Sequence, residues 1–349
     1  MPSRLIFLAA ALGPHTAIAV APTAAASFDC AKAATPFEKA ICDNPDLSAA
    51  DDRLAKTYQT AIGGLGETAL AAMRTDQRAW LDHARRACTT NAQPLTTGSY
   101  DERGVSCLET LFSSRSDLLE QSRIIKGTRF YPQARYEAMP DPNEADNPDS
   151  YFPVALHELA YVQIDDTTPE AEAFNALVRT AADEQAGFGG DTTEYDMVDT
   201  SDTTNTIFFK ERAGTGRITL ESNTYWFGHG AAHGNWAVTY LHYLNSESRW
   251  LEAGDLFAGK GWQKALLRLA ADALRAEHGD NLYLDDDNDI ADAVIDPTRW
   301  DLSDPYGLVI QFQPYEVAPY VYGAPTARVS WEDLSAYLAD GADSVRYGY

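Results

Sequence analysis

Apolar positions recur at helical spacing through the first third of the chain and at strand spacing through much of the rest. Leu47, Leu54, Tyr58 and Ile62 fall near one helix face. Leu70, Met73, Gln77, Trp80, Leu81, Ala84 and Cys88 make a second stripe, and Leu108, Leu111, Phe112 and Leu119 a third. Gly63-Gly64 and Gly66 part the first two helices. Ser48 with Asp51 three residues on reads as a capping-box-like helix start, so Asp51 is expected as a cap acceptor rather than a catalytic acid. Trp80, on an apolar stripe, is expected in the core. Glu38, on the helix leading to Cys42, favours the first-turn dipole.

Residues 127–150 carry Pro132, Pro140, Pro142 and Pro148 among acids, without periodicity, and read as a linker. From Phe152 the pattern becomes mixed. A strand at Val154 to Ile164 precedes a helix opened by Thr168-Pro169-Glu170. After a Gly/Asp/Thr-rich loop, Ala213-Gly214-Thr215-Gly216 joins two strands as a hairpin. Tyr225 to Phe227 then meets a glycine-rich turn, GHGAAHGN, and a strand follows with Trp236, Val238, Tyr240 and His242 on one face. Trp262, Leu266, Leu269, Ala270 and Leu274 form an amphipathic helix ending at Gly279, Tyr306 to Gln313 a strand, and Ser330 with Asp333 the start of a last helix carrying Leu334, Tyr337 and Leu338. Frequent hairpins and uneven alternation predict an α+β protein. It comprises an N-terminal disulfide-bonded all-α domain at 27–126, a linker at 127–150, and an α+β domain at 151–349 with a largely antiparallel sheet and packed helices.

Arg4, the apolar run from Leu5 to Leu12 and the small residues Ala24-Ala25-Ala26 predict a signal peptide over 1–26, hence a periplasmic or secreted protein. Phe28-Asp29 before Cys30 does not suit lipoprotein processing, so no membrane anchor is expected. Cys30, Cys42, Cys88 and Cys107 make an even count, read in an oxidising compartment as two disulfides. Of three possible pairings, the local ones, Cys30–Cys42 and Cys88–Cys107, are preferred. The formal net charge of −25 argues against nucleic-acid partners and suits a basic protein, or simple solubility in salty surroundings.

No nucleophile motif, P-loop or dinucleotide fingerprint occurs. Asp285, Asp287 and Asp289 have calcium-loop spacing, but Ile290 stands where a glycine is needed, so a solvated acidic loop is the simpler reading. His229 and His233 are spaced H-x3-H, and Asp165-Asp166 lies upstream, which motivates a metal-dependent deacetylase or hydrolase as the alternative function. The glycines around the pair oppose a helix, so neither a metal nor another cofactor is expected, and His233 is expected to hydrogen-bond backbone in a hairpin turn. Tyr315, Tyr320 and Tyr322, set among prolines, are a possible rigid recognition surface with His233, although Tyr315 is expected chiefly as a core anchor.

Two resemblances follow from these residues. Cys30, Glu38, Ile41-Cys42, Leu47, Asp51, Leu54, Tyr58, Gln77, Trp80-Leu81, Cys88 and Cys107-Leu108 resemble the LprI-type lysozyme-inhibitor domain. GAAHG, LEAGDLF and the run Gln313-Pro314-Tyr315-Glu316-Val317-Ala318-Pro319-Tyr320 resemble the RsiV-like extracytoplasmic domain, over about 150–340. Together they imply a non-enzymatic envelope binding protein whose partner is a lysozyme or another basic protein, with peptidoglycan a further partner. A general envelope interaction module without a lysozyme partner is the third reading.

Overall fold

A computed structural model describes residues 26–144, 147, 150–186 and 201–348. The expected signal peptide at 1–26 lies outside these residues except for Ala26, as does the loop at 187–200.

Four helices come first: α1 (Pro36–Asp43), α2 (Pro45–Ile62), α3 (Glu67–Ala87) and α4 (Glu102–Leu119). Thr35 and Glu38 cap each other's backbone N–H groups at the start of α1, a full capping box with Pro36 at the first position. The helix start expected at Ser48 lies one turn earlier, at Pro45, whose fixed φ suits that position. Asp51 is therefore mid-helix, and its carboxylate accepts the Ser27 N–H at 2.6 Å. Trp80 is 1 % exposed and packs edge-on to Phe112 at 5.0 Å. Both local disulfides, Cys30–Cys42 and Cys88–Cys107, are formed.

The main sheet follows, in the order β1 (Arg123–Ile125), β2 (Thr128–Pro140), β3 (Val154–Ile164), β4 (Ser201–Ala213), β5 (Arg217–Gly228), β6 (Asn235–Leu244) and β7 (Arg249–Trp250). Its pairs are antiparallel except β3–β4, which are parallel and joined through α5 (Pro169–Ala186), as a parallel pair requires. Phe174 and Val178 of α5 are fully buried against Leu159, Ile207 and Leu220 of the sheet.

The stretch read as a linker instead supplies β2. Its residues pair with β3 from Phe130 to Pro140, whereas β1 covers only Thr128 to Phe130 on the other side. Pro132 thus occupies an edge without a strand partner, where a missing N–H costs no ladder bond. The helical unit covers that edge: Asp76 of α3 accepts the Ala134 N–H at 3.2 Å.

The C-terminal part adds α6 (Ala253–Leu256), α7 (Trp262–His278), α8 (Ala291–Ile295), β8 (Trp300–Asp301), β9 (Gly307–Gln311), β10 (Thr326–Ser330) and α9 (Ala342–Tyr347). The order β10-β9-β8 forms a small antiparallel sheet packed on α7, with Leu266, Ala270, Leu274, Trp300, Ile310 and Phe312 buried between them. Ser330 does accept the Asp333 N–H, but no α-helix follows there. Backbone bonds from Ala258 to Tyr337 and from Ala339 to Leu256 hold the chain extended beside Phe257, and only a 3-10 turn, Ser335–Tyr337, forms.

Candidate functional site

The β5–β6 turn brings His233, Tyr315 and Tyr320 together. Gly230 adopts φ +82°, and a Cβ on Gly234 would lie 2.4 Å from the Tyr225 hydroxyl, so the turn's glycines are required by backbone geometry and by close approach. The His233 ring stacks on Tyr320 at 4.1 Å, and Tyr315 stacks on Tyr320 at 5.2 Å. His233 Nδ1 lies 2.8 Å from the Gly234 carbonyl, the backbone bond expected of it, and Nε2 lies 3.2 Å from the Tyr315 hydroxyl. The Tyr320 hydroxyl donates to the same carbonyl at 2.8 Å.

Gln313 holds this loop against β6, its amide accepting the Val238 N–H at 2.9 Å and donating to the Val238 carbonyl at 2.8 Å. Tyr315 is not a core anchor: it is 54 % exposed and sits at φ +68°. A non-glycine residue in the left-handed region costs about 1 kcal/mol or more and persists where its surroundings fix it. Tyr322 stands apart from the cluster, its ring edge against His278 at the end of α7.

His229 serves a different purpose from His233. Its Nδ1 lies 2.7 Å from Asp141 and its Nε2 3.1 Å from Asp202, and Phe152 stacks on the ring. With both nitrogens directed at carboxylates, this imidazole joins the end of β2 to the start of β4. Nothing in the local sequence relates Asp141 or Asp202 to His229; only the sheet brings them there. Asp165 accepts the Gly66 N–H and Asp166 the N–H groups of Thr167 and Thr168, so neither carboxylate faces the histidines. The four imidazole nitrogens of His229 and His233 are each engaged, and the two rings belong to separate hydrogen-bond networks. Among the described residues, no group of three or more His, Cys, Asp or Glu is placed to hold a metal ion. In the acidic loop, Asp287 pairs with Arg275 and Asp286 accepts the Asn288 N–H.

Two concavities flank the helical unit. One, of about 380 Å³, lies between the Cys88–Cys107 bridge and residues 150–156, with Tyr100, Arg103 and Tyr151 in its walls. The Arg103 guanidinium lies 3.9 Å over the Tyr151 ring. The other, of about 280 Å³, opens between α4 and the sheet face formed by β2, β3 and β4. Beside it Arg115 donates to Asp76, Gln77 and Tyr136. Burial works against the Arg115 charge, but Tyr136 and Asp76 outweigh it and raise its pKa. Burial likewise pushes the Tyr136 hydroxyl up, so it is neutral at physiological pH.

Residues 30–119 match the family model described as Lysozyme inhibitor LprI, and residues 254–332 match the model of a protein family of unknown function, DUF3298. Over 94 residues, 27 % of this chain, the sequence is 35 % identical to a protein named Lipoprotein LprI from Mycobacterium bovis, and the same figures hold for its namesake from Mycobacterium tuberculosis. That segment spans 45 % of each relative, so the chain matches about half the length of these curated relatives. A solved DUF3298 family protein from Pseudomonas aeruginosa aligns with 64 % of this chain and 98 % of its own, at TM-score 0.45 and 17 % identity. Another, from Bacteroides fragilis, aligns with 63 % and 96 %, at TM-score 0.43 and 15 % identity. The RsiV-like resemblance is compatible with the DUF3298 match, which covers a shorter span. By these matches, the chain joins an N-terminal domain similar to lysozyme inhibitor LprI to a C-terminal domain similar to DUF3298 proteins.

Proposed function

We propose that the protein is an exported, non-enzymatic binding protein of the cell envelope whose helical unit captures and inhibits a lysozyme. The observation that carries this reading is the lysozyme-inhibitor match over residues 30–119, which spans all four helices and both disulfides. The net charge of −25 supports it, because a basic glycosidase would be attracted over long range. Two disulfides suit an extracytoplasmic compartment, and no helix among the described residues is long and apolar enough to cross a membrane.

The test is inhibition of lysozymes of the c, g and i types in a cell-wall clearing assay, with a pull-down of each enzyme and of cytochrome c as a basic control. Inhibition of at least one lysozyme type, with retention at a salt concentration that releases cytochrome c, is the expected result. Equal retention of lysozyme and cytochrome c at every salt concentration, without inhibition, would reduce the interaction to nonspecific acidity and overturn the proposal.

A further inference from the structure

One row of side chains crosses five strands of the main sheet. Tyr136 pairs with Glu158, Glu158 with Thr204, Thr204 with Tyr225, and Tyr225 with Trp236. Cross-strand partners project to the same face, so the five share one surface. At a strand separation of about 4.8 Å the row is about 19 Å long. The neighbouring row, Ala134, Ala160, Thr206, Asn223 and Val238, carries small and uncharged side chains, which leaves space beside the first.

From Glu158 to Trp236 the row is the floor of a trough, and its first member, Tyr136, is covered by Arg115 and His83. The α4 helix walls it at the Tyr136 end, where the 280 Å³ cavity is lined by Leu111, Leu118 and Arg115 above Glu158, Thr204 and Thr206. At the Trp236 end, Gln313 ties the Tyr315–Tyr320 loop to β6. The floor is open: Thr204 is exposed, and Tyr225 is 42 % exposed although Gly234 leaves its ring a fixed seat.

We propose that this trough binds an extended chain of neutral pyranose sugars. Three observations converge on that class. The side chains repeat at the strand spacing, which is close to the rise of one sugar in a β-1,4-linked chain. Tyr225 and Trp236 supply aromatic side chains of the kind that stack on the C–H faces of pyranoses, while Thr204 and the Glu158 carboxylate offer hydroxyl-scale hydrogen bonding beside the Asn223 amide, which donates to Glu221. Among the described residues, the cations beside the floor are already paired, which leaves none for a polyanion. Arg115 is engaged, among the described residues, by Asp76, Gln77 and Tyr136, Lys210 by Glu221 and Asp301, and Glu158 lies 3.5 Å from His83 and beside Tyr136. The trough lies outside the match to the lysozyme inhibitor except for its α4 wall, so sugar binding stands apart from lysozyme capture.

The experiment is titration of the protein with chitohexaose and with cellohexaose, followed by calorimetry and tryptophan fluorescence. Binding of at least one hexasaccharide is expected, weakened ten-fold or more in Tyr225→Ala and abolished in Thr204→Arg, which fills the trough from an exposed position. Thermal melts confirm that each variant is folded. Absence of binding by both sugars at millimolar concentration, or binding unchanged in both folded variants, would overturn the proposal. Loss of lysozyme capture in Tyr225→Ala, with neither sugar bound by the parent, would also overturn it and place the protein partner in the trough.

Discussion

Arg115 of α4 and Asp76 of α3 form a buried ion pair, 2.8 Å apart, that joins the helical unit to the sheet. Asp76 accepts the Ala134 N–H, and Arg115 donates to the Tyr136 hydroxyl, so each partner also reaches β2. Removing one member of a buried pair leaves the other charge uncompensated, at a cost of about 3–5 kcal/mol. Arg115→Met is therefore expected to lower the urea midpoint strongly. The double variant Arg115→Met/Asp76→Leu should recover part of the loss, because no buried charge remains. Equal midpoints for Arg115→Met and the parent would show the pair to be solvated.

The same junction bears on the disulfides. Were residues 127–150 a linker, reduction would melt the helical unit alone. With β2 bonded to β3 on one side and to α3 on the other, loss of the helices also uncovers the sheet edge. Closing a loop of this size stabilises by about 3 kcal/mol. The Cys88→Ser/Cys107→Ser variant is expected to lose about that much. Its denaturation followed by far-ultraviolet circular dichroism and by tryptophan fluorescence should coincide in one transition. Two separated transitions would indicate that the helical unit and the sheet unfold independently.

The helices were legible in the sequence because their stripes and glycine breaks are local signals; the α7 stripe from Trp262 to Leu274 and the hairpin at 213–216 were equally plain. The disulfides followed from locality. Sequence and structure differ where long-range partners decide. Pro132 reads as loop until the sheet supplies an edge without a ladder partner. Tyr315 reads as core because aromatic residues usually bury, yet the loop fixed by Gln313 turns it outward. Asp141 and Asp202 lie 88 and 27 residues from His229 in sequence, and the row from Tyr136 to Trp236 exists only through strand register.

His242 predicts an acid sensitivity. Burial, with Arg217 adding to it, pushes its pKa down to about 3, and its ring bridges Thr219 and the Trp300 carbonyl, the latter at 2.7 Å. The unfolded histidine takes up a proton near pH 6.5 while the folded one does not, so protonation favours the unfolded chain. Stability should fall as pH drops from about 6.5 toward 3, with a contribution approaching 1.4 kcal/mol per pH unit from this residue. In His242→Gln, which retains a donor and an acceptor, the unfolding free energy should decline less steeply between about pH 6 and about pH 4.5, inside that interval. Parallel pH profiles for parent and variant would assign the acid sensitivity to other groups.

The last prediction concerns how capture of a lysozyme depends on salt. A net charge of −25 sets up a field that attracts a basic protein before contact. The screening length is about 10 Å at 0.1 M salt and about 3 Å at 1 M, so this attraction is shortened severalfold across that range. Close packing at an interface is less affected, because atoms in contact lie within even the shorter distance. The association rate constant should therefore fall steeply with salt while the dissociation rate constant changes little. Surface plasmon resonance across a salt series separates the two. A complex held mainly by charge pairs would also dissociate markedly faster as salt rises. Neutralising exposed acids away from the helical unit, such as Asp280 and Asp340, should slow association slightly and leave dissociation unchanged. A change in dissociation in that variant would place the contact surface on the C-terminal part instead of the helices.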